Sequence, residues 1–301
     1  TIGFVGIGTI NSAVITGLCT LPNPPTKVVL SPRNAQKAAD LASRFPGIVT
    51  VASSNQEVLD TTQFVFLAVL PKQVPEVLSS LSFTPEHFVV SLVAGVSNTK
   101  LSEFMPTVPT SNIVRAVPLP PVKDQAGVTL VYPNSPVPVA LFDALGTAVA
   151  VDSEKTMSKM QVTTAMMGTY YAFIHSIHSW QIEQGVDSAP ASKYVGALMH
   201  SIANDGKLAG TEGFDELILE QTPGGLNEQG IRELTSAGVM DEFKATMSSI
   251  DARWSGLAEA SEKRPATIRD KREAKAKLIW AAGGFMAGVI ATVAVLKASR
   301  K

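Results

Sequence analysis

The sequence predicts an α/β fold with a doubly wound parallel sheet, followed by an all-helical domain and a C-terminal transmembrane helix. Three observations carry this. Over residues 2–19 a short apolar strand runs into a glycine turn and then a helix. Apolar, β-branched runs alternate with helical stretches to about residue 150, the pattern of parallel strands joined by crossover helices. From about Ser153 strand-like runs give way to long helical stretches, and residues 278–296 form an uncharged segment.

Ile2, Phe4 and Val5 are β-formers in a buried-strand pattern that breaks at Gly6-Ile7-Gly8. A helix takes over through Ala13, Val14, Ile15, Leu18 and Cys19. Strand, glycine turn and helix N-terminus in this order form a Rossmann phosphate site. The glycines let backbone approach a pyrophosphate, and free helix N–H groups meet its charge. The third glycine position is Asn11, so the turn is expected to be altered but kept.

Asn23-Pro24-Pro25 turns the chain into a second strand at Lys27–Leu30. An NAD site usually places a carboxylate just beyond this strand, for the ribose 2′-OH. Here Ser31-Pro32-Arg33-Asn34 follows instead. A hydroxyl, a guanidinium and an amide suit a 2′-phosphate, so NADP(H) is favoured over NAD(H). A helix over Ala35–Phe45, a weak strand at Ile48–Val51 and a capped helix start at Ser54–Glu57 come next. Further strands are read at Thr62–Leu67, His87–Leu92 and Asn112–Val114. Val117–Pro121 holds three prolines and is expected to be irregular, crossing the open sheet edge near the nicotinamide end. Helical stretches follow at Ser153–Gly185, Ala189–Asp205 and Phe214–Glu220, and after a break at Thr222–Gly225 they resume at Gln229–Ala237 and Met240–Trp254.

A net charge of −1 argues against a nucleic-acid partner, whose binding favours a basic face. The single cysteine, Cys19, excludes an internal disulfide framework and reads as an inert core thiol. His175 and His178 sit three apart without a third ligand, so no metal site is expected. Tyr170, Tyr171, Phe173 and Trp180 read as helix packing and dimer contact. With no G-x-S-x-G elbow, hydrolase chemistry lacks support.

Residues 258–277 form a charged linker, dense in basic side chains from Lys263 to Lys277. Leu278–Leu296 then runs for nineteen residues without a charge. A helix of that length spans about 28 Å, close to a bilayer's hydrocarbon thickness. Trp280 near one end, basic residues at both ends and a Gly284/Gly288 packing face suit a membrane anchor, against the alternative of a buried interface helix. A mitochondrial membrane is the expected location, with a plastid membrane as the alternative. The first strand, read as starting at residue 1, is consistent with removal of a transit peptide.

The ordered motifs resemble the pyrroline-5-carboxylate reductase family. They are the opening glycine turn, Ser31-Pro32-Arg33-Asn34, Asn55-Gln56-Glu57, Ala68-Val69-Leu70-Pro71, Val93–Ser97, Arg115–Pro118 and Thr222-Pro223-Gly224-Gly225. Together they extend over residues 1–255 in the family's order. The resemblance implies a Rossmann domain at 1–150, a helical dimerisation and substrate domain at 151–257, and NAD(P)H-dependent reduction of a cyclic imine carboxylate. It places Gly6, Gly8, Thr9, Ile10, Ser31, Arg33, Asn34, Asn55, Ala68, Val69, Pro71 and Ala94 at the cofactor. Gly224, Gly225, Leu226 and Asn227 fall at the substrate, where the N–H groups of Gly225, Leu226 and Asn227 could form an anion nest and the Asn227 amide could donate. Thr222, Asn227 and Tyr171 are candidates to supply the proton, beside bound water.

This chain departs from the family at Asn11, at Leu119 and Pro120, at Met166 and Met167, and at Leu226 and Asn227. The departures cluster at the substrate end. The leading expectation is an NADP-dependent reductase of a small cyclic imine carboxylate, acting as a homodimer. The alternative is a catalytically inactive reductase fold serving as a subunit of an organellar membrane complex. An NADP-linked hydroxyacid dehydrogenase is weaker, because no helix-borne Lys/Asn pair marks a catalytic centre.

Overall fold

The computed structural model describes residues 1–210 and 213–257. It divides into two compact units, the first Thr1–Gln161 and the second beginning at Val162.

In the first unit an eight-stranded sheet has the order β3-β2-β1-β4-β5-β6-β7-β8. The strands are β1 (Ile2–Val5), β2 (Val28–Leu30), β3 (Val49–Val51), β4 (Phe64–Leu67), β5 (Phe88–Ser91), β6 (Ile113–Pro118), β7 (Gly127–Tyr132) and β8 (Gly146–Ala150). All neighbours are parallel except β6 and β7. The helices are α1 (Thr9–Cys19), α2 (Ala35–Arg44), α3 (Asn55–Thr61), α4 (Val74–Ser79), α5 (Asn98–Phe104), α6 (Pro136–Ala144) and α7 (Glu154–Val162).

Strand periodicity explains why helices cover both faces. Successive side chains of β1 and β4 alternate sides, and both sides are apolar. Phe4 and Phe66 are register partners whose rings stack at 4.8 Å, in a core with Val14 and Leu18 of α1, Leu41 of α2 and Phe142 of α6. Val5, Val65 and Leu67 point the other way, into a core with Val58 and Leu59 of α3, Leu78 of α4 and Leu101 of α5. Burying such side chains contributes roughly 1.5–3 kcal/mol each.

Strands β7 and β8 were not foreseen, and the Val117–Pro121 stretch is only partly irregular. Val117 and Pro118 finish β6, opposite Leu130 and Thr129. Pairing with β5 ends at Arg115. Pro118 therefore lies where β6 has a neighbour on one side only, which a residue without an N–H tolerates. The following 3₁₀ segment, Pro120–Asp124, packs against α1 and does not simply cross an open edge. That contact is close: a Cβ on Gly17 would lie 2.3 Å from the Val122 carbonyl oxygen. Helix α7 belongs to the first unit because Met157 is fully buried with Leu130 and Val151.

The second unit contains α8 (Met167–Glu183), α9 (Ser188–Leu208), α10 (Gly213–Leu219), α11 (Leu226–Ser236) and α12 (Val239–Trp254). The expected single helical stretch Ser153–Gly185 is divided into α7, a 3₁₀ turn at Thr163–Met166, and α8. Gly185 and Gly238 take positive φ, the left-handed conformation that ends helices cheaply in glycine.

The expected fold class needs one correction, the transmembrane helix. No helix among the described residues is long and apolar enough to cross a membrane. The longest, α9, interrupts its apolar residues with Lys193, His200, Asn204, Asp205 and Lys207, which a bilayer core would not accept. The linker at 258–277, the anchor at 278–296 and the organelle location inferred from it fall outside the described residues.

Candidate functional site

A cleft of about 690 Å³ opens at the carboxyl end of β1 and β4, where a doubly wound sheet places its ligands. Its geometry is set at Gly6. This residue has φ 87°, and a Cβ there would lie 2.5 Å from the Ala68 carbonyl oxygen, so only glycine fits. Two side chains hold its peptide groups. The Gly6 N–H donates to Ser31 Oγ at 2.9 Å, and Asn11 Nδ2 donates to the Gly6 carbonyl at 2.6 Å.

Gly8 caps α1 without a side chain, and a Cβ there would meet nothing within 4 Å. The backbone thus faces open space at the helix N-terminus, where N–H groups and the helix dipole favour an anion. The turn is also tied to the end of β2. Asn34 Nδ2 donates to the Ile7 carbonyl at 3.2 Å, while Asn34 Oδ1 accepts from Lys37 N at 3.3 Å and caps α2.

Of the cofactor residues expected from sequence, Gly6, Gly8, Thr9, Ile10, Arg33, Asn34, Ala68, Val69, Pro71 and Ala94 line this cleft. Ser31 does not; fully buried, it supports the turn from behind. Asn55 is half-buried at the start of α3 and is not part of the lining either. Ile7, Ala35, Leu70, Gln73 and Leu92 line the cleft without having been foreseen. Leu70 and Gln73 had a legible signal, a proline-started turn closed by a polar side chain: Leu70 N donates to Gln73 Oε1 at 3.3 Å. Arg33 is the one charged residue in the lining and is exposed; no carboxylate lines the cleft.

Behind the site, Glu154 of α7 accepts from the Asn98 N–H at 2.7 Å and from Arg115 Nη1 at 3.4 Å. It thereby ties together α5, β6 and α7. Glu57 at the start of α3 accepts from the Ser53 hydroxyl and backbone N–H, which hold its carboxyl below the ordinary range. Burial pushes the Cys19 thiol up to about 11, which keeps it protonated and unreactive.

The substrate-end candidates lie in the second unit. Around Thr222–Asn227 the turn satisfies much of its own donor capacity. Gly225 N donates to the Thr222 carbonyl at 2.9 Å, Asn227 Nδ2 donates to Gln221 Oε1 at 2.8 Å, and Gly224 N donates to the Glu228 carboxylate. Leu226 is 86% exposed. Of the N–H groups expected to form the nest, that of Gly225 is thus committed to the turn itself, and the neighbouring Gly224 N–H is taken by an internal carboxylate. Tyr171 stands apart from this turn, in a groove of about 350 Å³ between α8 and α9 with Ile174, His175, His178, Ser192, Val195 and Gly196. His178 Nε2 contacts Ser192 Oγ at 3.0 Å, and His175 Nδ1 contacts Ser179 Oγ at 3.3 Å.

A glycine-turn cleft in a doubly wound sheet, followed by a helical unit, defines a dinucleotide-dependent oxidoreductase. Residues 1–95 match the family model described as NADP oxidoreductase, coenzyme F420-dependent. A pyrroline-5-carboxylate reductase from Corynebacterium melassecola is 28% identical over 256 residues, 81% of this chain and 93% of that protein. The fold is shared with a pyrroline-5-carboxylate reductase from Coxiella burnetii (TM-score 0.74, 21% identity, 86% of this chain and 98% of that one). It is also shared with a pyrroline carboxylate reductase from Plasmodium falciparum, solved with NADP bound (TM-score 0.68, 18% identity, 85% and 97%). The chain is thus similar to pyrroline-5-carboxylate reductases over most of its length.

Proposed function

We propose that the protein is an NAD(P)H-dependent reductase of pyrroline-5-carboxylate. The observation that carries this is the Gly6–Gly8 turn, held open toward a cleft at the sheet's carboxyl edge, in a chain that aligns with 93% of a named pyrroline-5-carboxylate reductase. The alternative of an inactive subunit is not favoured. When bound, the reduced nicotinamide supplies hydride to the carbon of the C=N bond. The protein's part is to hold cofactor and imine in line and to deliver a proton to nitrogen.

The residues present fit such a cofactor. Gly6, Gly8 and the first turn of α1 would hold the pyrophosphate. Ala68, Val69, Pro71 and Ala94 would form the apolar wall beyond it. NADP(H) is preferred over NAD(H) in this reading. Arg33 and Asn34 stand at the end of β2, where a 2′-phosphate would lie, and no lining carboxylate would repel it. At the substrate end, the Thr222–Asn227 turn would receive the imine's carboxylate, with Thr222, Asn227 and Tyr171 as candidate proton donors.

A second copy of the chain is the expected partner. Large apolar side chains stand exposed along the second unit, among them Tyr171 at 59%, Trp180 at 60% and Tyr194 at 61%. Such a surface marks an interaction site. Titration of the purified protein with NADPH and NADH, followed by turnover of pyrroline-5-carboxylate, tests the reading. Binding of NADPH with consumption on adding the imine supports it; failure to bind either nucleotide overturns it.

A further inference from the structure

Asn11 is fully buried in α1 at the position where the glycine pattern has its third glycine. Its Nδ2 makes one short bond, to the Gly6 carbonyl, and its Oδ1 is buried with no protein partner. An amide satisfied at one end only is a poor choice for packing, because the orphaned oxygen carries a desolvation cost. Alanine would suit a helix start in that space better. The bond to Gly6 is therefore where its role lies. Gly6 is gripped from the other side by Ser31 Oγ, itself fully buried, so side chains from α1 and from the end of β2 fix both polar groups of the residue. Gly6 carries the positive φ that turns the following amides toward the cleft.

We infer that Asn11 and Ser31 are positioning residues that lock the Gly6 turn in its pyrophosphate-binding conformation before the cofactor arrives. The inference rests on the pyridine-nucleotide reading above and adds a consequence that reading lacks. Asn11 compensates for the missing glycine by preorganising the turn, which lowers the ordering cost of binding. The pyrophosphate is common to NADPH and NADH. Loss of the lock should therefore weaken both equally.

The test compares wild type with Asn11→Ala, Asn11→Leu and Ser31→Ala in titrations with NADPH and NADH, beside thermal unfolding of the free protein. Each variant should raise Kd about 5- to 10-fold for both nucleotides, the effect of one lost hydrogen bond, with their ratio unchanged. KM for the cofactor should rise while kcat is largely kept. Asn11→Ala should keep or raise Tm, and Ser31→Thr, which retains the hydroxyl, should bind like wild type. Unchanged affinities, or a lowered Tm with unchanged Kd, would make Asn11 a packing residue and overturn the inference. Should Asn11 variants fail to fold, Ser31→Ala against Ser31→Thr reads the same lock. Wild type that binds neither nucleotide overturns the cofactor reading itself, and the inference with it.

Discussion

Arg33 and Glu228 are the residues whose charge should matter most to ligands. Arg33 is exposed at the cleft and engages no acidic side chain there. Arg33→Ala should raise the Kd for NADPH about tenfold or more and leave NADH nearly unchanged, as expected when a charge-assisted bond to a 2′-phosphate is lost. Equal losses in parallel titrations would show that Arg33 does not read the phosphate. Glu228 places a carboxylate on the Gly224 N–H and approaches Arg232 at 3.8 Å. It competes with any substrate carboxylate for the turn. Glu228→Gln removes that negative charge, so KM for pyrroline-5-carboxylate should fall several-fold; a higher KM would mean that Glu228 builds the site. Sequence reading located the turn but not this bond. The pairing of Gly224 with a side chain four residues on depends on the exact trace of the chain between Thr222 and α11. For Ser31, the place after β2 is legible, whereas the direction of its hydroxyl, inward to Gly6, is tertiary information.

Among the elements, β1, β2, β3, β4 and β5 were legible because buried parallel strands are nearly continuous apolar runs, such as Phe64–Leu67. Strands β7 and β8 were not. Gly127–Tyr132 mixes threonine and glycine with its apolar residues, and no side chain of Gly146–Ala150 is fully buried. Their placement depends on β6 extending past its parallel partner to meet β7 in an antiparallel pairing that the apolar pattern does not announce. At the start of β5, in the middle of the sheet, His87 joins that strand to α3. Its Nδ1 accepts from the Thr84 N–H at 2.8 Å, so Nε2 carries the proton and donates to the Leu59 carbonyl at 3.0 Å. His87→Phe keeps an aromatic ring but strands the Leu59 carbonyl in a buried place and removes the acceptor of the Thr84 N–H. It should cost about 2–3 kcal/mol, read as a lower midpoint in urea with an unchanged slope. Loss of the Ser53–Glu57 cap should show as pH falls. A carboxyl held below its ordinary value stabilises the start of α3 above its unfolded pKa, and that contribution disappears as pH drops through the folded one. The protection factors of amides near Glu57, corrected for the intrinsic exchange rate, should therefore fall in acid, and should not in Glu57→Gln.

At the scale of the whole molecule, the sequence carried the order of the two units and the aromatic cluster of α8, but not how exposed the helices around that cluster are. Helices α8 to α12 bury few side chains of their own; Ala191, Val195 and Met199 are the buried apolar residues of α9. We propose that a second copy of the chain covers these exposed aromatic side chains. Trp180→Asp together with Tyr194→Asp should shift sedimentation from dimer to monomer, while a dimer that persists would place the interface elsewhere. The claims about ligands depend on the chain working as a reductase. The most direct test is to mix the purified protein with NADPH and pyrroline-5-carboxylate and follow the loss of reduced-nicotinamide absorbance and the appearance of proline. The account predicts equimolar NADPH loss and proline formation, both abolished when the imine is omitted. NADPH that binds tightly but is never consumed, at any imine concentration, would contradict it.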